Sequence, residues 1–215
     1  MYNFRYVSKK EAAPVKAELL DIIHKVQNYV RDKFTFQYTF IGSSDRNMIT
    51  CDEESNIGFD FDVNIEVNDD NNDYKPKELR TIIREALNQA ARQYGYDYCE
   101  DSTRVLTIKV KDRKNKRILH SCDFAIVYNC EDGQQLYIRY NKDRQNYTWE
   151  YQGKGFAGLR EKVEWLSEPP SLKKEFRDYY LDKKNKNNNK DKHSRSLFAE
   201  AVNEMCKKYG YEPEE

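Results

Sequence analysis

The sequence predicts an α+β protein: a mixed β-sheet with flanking helices, followed by a small C-terminal helical lid. Three observations carry this expectation. Apolar residues repeat at three-four spacing up to residue 31, alternate with polar ones from residue 34 and again from residue 58, and return to helical spacing beyond Gly153. A chain of 215 residues can bury one substantial core without disulfide or metal staples. Residues 1–152 are expected to form that core, and residues 153–215 a helical segment packed on it.

Taken in order, Val15, Leu19, Ile22, Ile23, Val26 and Val30 mark one face of a helix from Pro14 to about Arg31, with Pro14 suited to its first turn. Phe34, Phe36, Tyr38 and Phe40 then alternate with Thr35, Gln37 and Thr39, so a strand runs to Ile41-Gly42-Ser43 and a polar loop follows. Gly58 to Val67 has the clearest alternation in the chain, with Phe59, Phe61, Val63, Ile65 and Val67 on one face and Asp60, Asp62, Asn64 and Glu66 on the other. Asp69 to Asp73 predicts a turn. Leu79, Ile82, Ile83, Ala86, Leu87, Ala90 and Tyr94 define a second amphipathic helix that Gly95 closes.

Val105 to Lys111 and Ile118 to Asn129 read as two strands joined by the Lys114-Asn115-Lys116 turn. Leu136 to Tyr140 and Tyr147 to Tyr151 read as a further hairpin around Asn141 to Asn146. Phe156 to Leu166, Leu172 to Lys183 and Leu197 to Tyr209 have helical spacing, and Gly210 stops the last of them. Pro169-Pro170 and the polar Lys183 to Lys192 tract separate these three, and the tract reads as a solvated loop in preference to a nucleic-acid-binding segment.

Composition argues against several classes. Lys plus Arg equals Asp plus Glu, 37 against 37, so no global field draws the chain to long nucleic acid or an anionic membrane. Its apolar runs are too short to cross a bilayer, and Met1 to Lys10 lacks the apolar stretch of a secretory signal, so a soluble, cytoplasmic protein is expected. The five cysteines (Cys51, Cys99, Cys122, Cys130, Cys206) are scattered and never form a CxxC pair, which reads as reduced structural thiols.

Chemistry concentrates at three places. Asp60 and Asp62, two apart on a strand, project to one side, and two like charges so placed raise each other's pKa unless a cation lies between them. Gly42 permits close backbone approach, and the small hydroxyls of Ser43 and Ser44 can meet phosphate oxygens where a larger side chain would collide. Asp123 stands alone among Cys122, Phe124, Ala125, Ile126 and Val127, where burial without a partner is costly.

Ile41-Gly42-Ser43 at a strand end, Asp60-Phe61-Asp62-Val63 on the next strand and Cys122-Asp123-Phe124 on a later one resemble the polymerase beta nucleotidyltransferase superfamily. That family reads hydrophobic-Gly-Ser, then acid-hydrophobic-acid-hydrophobic, then hydrophobic-acid-hydrophobic. The long preceding helix and hairpin-paired acidic strand look more like the branch of oligoadenylate synthetases and cyclic-dinucleotide synthases than the aminoglycoside-modifying branch. The match covers roughly Phe34 to Asn129, and departs from the usual pattern in the sixteen residues, Ser44 to Phe59, between Ser43 and Asp60.

The resemblance implies a nucleotidyltransferase core and a transfer of a nucleoside monophosphate from a nucleoside triphosphate to an acceptor hydroxyl, with release of pyrophosphate. Asp60, Asp62 and Asp123 would be catalytic and hold two Mg2+ ions, with Mn2+ as an alternative, and Asp123 would take the acceptor's proton. Gly42, Ser43 and Ser44 would bind the triphosphate, and Arg46, Lys154 and Arg160 could add charge there. The base would stack on one of Tyr147, Trp149, Tyr151 or Phe156. A nucleotide, a short RNA end or a protein hydroxyl fits as acceptor. The competing reading is a catalytically silent copy of the fold that binds nucleotide or regulates a partner.

Overall fold

The computed structural model describes residues 2–69, 73–153, 158–189 and 192–212. In chain order the elements are β1 (Arg5–Tyr6), α1 (Lys9–Val30), β2 (Thr35–Ile41), α2 (Gly42–Asp45), β3 (Thr50–Cys51), β4 (Phe59–Asn68), α3 (Pro76–Ala91) and a 3-10 turn (Arg92–Tyr94). They continue with β5 (Glu100–Asp101), β6 (Leu106–Asp112), β7 (Arg117–Asn129), β8 (Gln135–Asn141), β9 (Asn146–Tyr151), α4 (Leu159–Ser167), α5 (Pro170–Asn185) and α6 (Ser194–Tyr209). Two compact units result, one of Val7–Cys51 and Asn56–Gln152, the other of Met1–Tyr6, Asp52–Ser55 and Gly153–Glu215.

In the larger unit the strands order β2-β4-β7-β6-β5, and the β8–β9 hairpin joins through the far end of β7. Only β4 and β7 pair in parallel among the described strands of this sheet; every other pair is antiparallel. Parallel neighbours need a crossover, and α3 lies in the one between them. One face of the sheet is apolar: Phe61, Val63, Ile65, Cys122, Phe124, Ile126, Leu106 and Ile108 are almost fully buried. It forms one cluster with Leu19, Ile22, Ile23 and Val26 of α1 and Leu79, Ile83, Leu87 and Ala90 of α3. Both long helices therefore serve a single face, and the acidic side chains of β4 project from the other.

Two boundaries differ from the sequence reading for identifiable reasons. Helix α1 begins at Lys9, so Pro14 lies inside the helix and not at its start. A capping box sets that start: the Glu11 N–H donates to Ser8 Oγ at 3.2 Å and the Ser8 N–H to Glu11 Oε2 at 2.9 Å, satisfying two end donors together. The polar stretch after Ile41 opens as the helical turn α2 and carries Met48 and Ile49, each 5% exposed, so part of the long insertion is core.

In the smaller unit Phe176, Tyr180, Leu197, Phe198, Val202 and Met205 are buried, with the Phe198 ring edge-on to Phe176 at 5.6 Å and to Tyr180 at 5.3 Å. Helix α5 runs into the Asn/Lys tract as far as Asn185. There the Asn185 amide takes the Phe4 N–H at 2.5 Å and donates to the Phe4 carbonyl at 3.1 Å, which gives those residues a structural role that composition does not show. Gly210 at φ 71° ends α6. No helix among the described residues is long and apolar enough to cross a membrane.

Candidate active site

Strands β4 and β7 run parallel with Asp60 opposite Ser121 and Asp62 opposite Asp123. Residues in register share a face, so the three aspartates stand together, with one carboxylate oxygen from each lying within 4.8 Å of the others. The apolar residues between them fix this arrangement. Phe61, Val63, Cys122 and Phe124 are each 1% exposed or less, and slipping either strand by one residue would exchange them for the acids.

The electrostatics are unfavourable for the protein alone. Burial, and then the charges of Asp123 and Asp62, push the Asp60 carboxyl up to about 7, and its Oδ1 is buried with no hydrogen-bond donor. Burial also raises Asp123, opposed by the Thr107 hydroxyl, which donates to Asp123 Oδ1 at 2.5 Å from the neighbouring strand β6, and by the nearby charge of Lys109. Lys109 Nζ itself is engaged by Glu100 at 2.6 Å. Three hard carboxylates, one with an orphaned buried oxygen, suit a divalent cation of the magnesium type. A cation there would relieve the repulsion and supply the missing partner.

The Gly42-Ser43-Ser44 turn stands beside this cluster. Gly42 adopts φ 69°, and a Cβ built on it would collide with Asp62 Oδ2, so the absence of a side chain lets the turn approach the acid. Ser44 Oγ donates to the Ile41 carbonyl at 2.9 Å, and the Ser43 carbonyl accepts from the Met48 N–H at 2.8 Å. The Ser44 proton thus closes the turn, while Ser43 is half-buried in the same turn.

The remaining candidates separate. Arg46 follows the turn directly, half-buried. Lys154 and Phe156 lie outside the described residues. Arg160 is on α4, 91% exposed and paired with Glu164. Tyr147 donates to Asp101 at 2.8 Å and stacks on Tyr140 at 4.6 Å, and Trp149 packs against the core, so both have structural employment. Tyr151 is 60% exposed. Sequence reasoning missed Thr107 and Ser121. Both are polar positions in otherwise alternating strands, but their partners sit across the sheet, and only the register of β7 with its neighbours brings them to the acids.

No family model and no curated protein matches this sequence. Solved structures match by fold. The Vibrio cholerae DncV cyclic AMP-GMP synthase, a prokaryotic cGAS homolog, aligns with a TM-score of 0.65 at 12% identity, over 93% of this chain and 68% of that one. The same synthase in complex with the linear intermediate 5' pppA(3',5')pG gives 0.64 at 13% identity, over 93% and 67%. Escherichia coli DncV in its 3'-deoxy GTP bound form gives 0.55 at 16%, over 98% and 55%. The chain has the α+β nucleotidyltransferase fold of these synthases, the fold its sequence predicts.

Proposed function

We propose that this chain is a metal-dependent nucleotidyltransferase that moves a nucleoside monophosphate from a nucleoside triphosphate to an acceptor hydroxyl and releases pyrophosphate. One observation carries the reading. Three carboxylates from two parallel strands converge within 4.8 Å, one with a buried oxygen that no donor reaches. A purely structural cluster would gain nothing from such repulsion. The fold supports the same reading, since its structural neighbours include a cyclic AMP-GMP synthase in complex with a linear dinucleotide intermediate.

Asp60, Asp62 and Asp123 would hold the divalent ions, Mg2+ or Mn2+. When bound, such ions offset the charge that develops on the attacking and leaving oxygens. The Gly42-Ser43-Ser44 turn, which approaches Asp62 only because residue 42 lacks a Cβ, binds the β and γ phosphates and so orients the α-phosphorus. Asp123 receives the acceptor's hydroxyl proton. The acceptor oxygen then bonds to the α-phosphorus, the bond to the β-phosphate oxygen breaks, and pyrophosphate leaves. A nucleotide hydroxyl is the acceptor we favour, given the dinucleotide held by a structural neighbour.

The test is incubation of the purified protein with each of the four ribonucleoside triphosphates and Mg2+ or Mn2+, following pyrophosphate and resolving products by mass. Metal-dependent pyrophosphate release that chelation abolishes is the expected result. Triphosphate binding with no turnover under every combination would contradict it and favour the silent copy.

A further inference from the structure

We infer that Thr107 is a positioning residue of the metal centre: its hydroxyl holds Asp123 in the rotamer that meets Asp60 and Asp62. This rests on the reading of the three aspartates as metal ligands.

Thr107 lies on β6 directly opposite Asp123 on β7, so the two side chains emerge side by side on the same face. The hydroxyl donates to Asp123 Oδ1 at 2.5 Å. Its own freedom is small. Thr107 is β-branched, which restricts χ1, and it sits between Leu106 and Ile108, both 0% exposed, which anchor the strand on its other face. A donor so fixed can select one rotamer of its acceptor.

Asp123 needs that selection more than its companions do. It comes from a different strand, so the convergence of the trio depends on its side chain reaching across to β4. With Oδ1 held by Thr107, Oδ2 is directed by the geometry of the carboxylate and cannot swing away without breaking the bond. Donors that orient metal ligands typically contribute ~10–100-fold to metal affinity. Thr107 is placed to do this through Asp123.

The experiment titrates Mn2+ into the whole chain, without nucleotide, and reads free metal by electron paramagnetic resonance. Thr107→Val keeps the shape and branching but removes the donor; Thr107→Ser removes the methyl but keeps the donor; Asp123→Asn is the ligand control. Metal-free melting of each variant shows that it is folded. Expected is an affinity loss of about tenfold or more in Thr107→Val, with wild-type binding restored in Thr107→Ser. Equal binding by Thr107→Val and wild type would overturn the inference, as would an equal loss in folded Thr107→Ser. Wild-type protein that binds no Mn2+, or binds it as Asp123→Asn does, would overturn the metal-centre reading itself.

Discussion

Two clusters of charge on the same sheet, with half-buried acids in both, are built in opposite ways. At Asp101 the acid is answered by the protein: Arg80, 1% exposed, donates through Nε to Oδ1 at 2.7 Å, and Tyr147 donates to Oδ2 at 2.8 Å. The same guanidinium donates to the carbonyls of Ile138 at 2.8 Å, Ser102 at 2.6 Å and Val105 at 2.9 Å, tying α3 to β8 and the turn before β6. At Asp60, Asp62 and Asp123 three acids face one another, and Asp60 Oδ1 has no donor. The first cluster is complete without a ligand and fastens the fold. The second becomes complete only when something positive arrives, and that is where function is to be sought.

The sharpest test of this contrast is Asp62→Asn, which should lower pyrophosphate release by about 10⁴-fold by removing a metal ligand, while leaving the metal-free protein as stable as before or more so. Unchanged turnover would erase the distinction between the two clusters. Arg80→Met attacks the other side. It removes the buried partner of Asp101, leaving Tyr147 and the longer contact of Arg84 at 3.5 Å, and should cost about 3 kcal/mol in denaturant unfolding, while the folded fraction still binds Mn2+.

Gly42→Ala should fall between the two, since it forces a methyl against the Asp62 carboxylate at a φ that side chains resist. We expect a loss of turnover of about 10²-fold with only ~1 kcal/mol of stability. A variant with normal turnover would remove the turn from the account.

The smallest effect is in stability against pH. Asp60 has a folded value of about 7, above the ordinary carboxylate range, so its contribution to stability is full below pH ~4 and is lost as pH rises through 7. Metal-free Asp60→Asn should therefore show a flatter profile between those limits. At pH 8 it should exceed the wild type by ~1–3 kcal/mol, allowing for partial solvent screening. Saturating Mg2+ should remove the advantage by stabilising the wild type. Parallel melting curves of the two proteins from pH 4 to 8 would contradict the repulsion.

Much of the larger unit was legible in the sequence because its strongest element is also its most regular. Five apolar positions alternating with four polar ones from Phe59 to Val67 give both the core face and the acidic face of β4, and Asp123 stands out as a lone charge in an apolar run. What could not be read was set by long-range pairing. The strand Glu100–Asp101 exists because it pairs with Leu106 and Thr107, not because of its own residues. Likewise Asp52 and Asn185 gain their roles from the N–H of Asn3 and the two backbone groups of Phe4, far away in the chain. Thr107 belongs with these, an ordinary strand threonine until the β6–β7 register sets it against Asp123.

The most direct measurement is an anomalous diffraction map from crystals of the protein grown with Mn2+. A peak is expected about 2 Å from carboxylate oxygens of Asp60, Asp62 and Asp123 together. Density free of any such peak at millimolar Mn2+, or Asp123 turned to the side of the sheet away from Asp60 and Asp62, would contradict it.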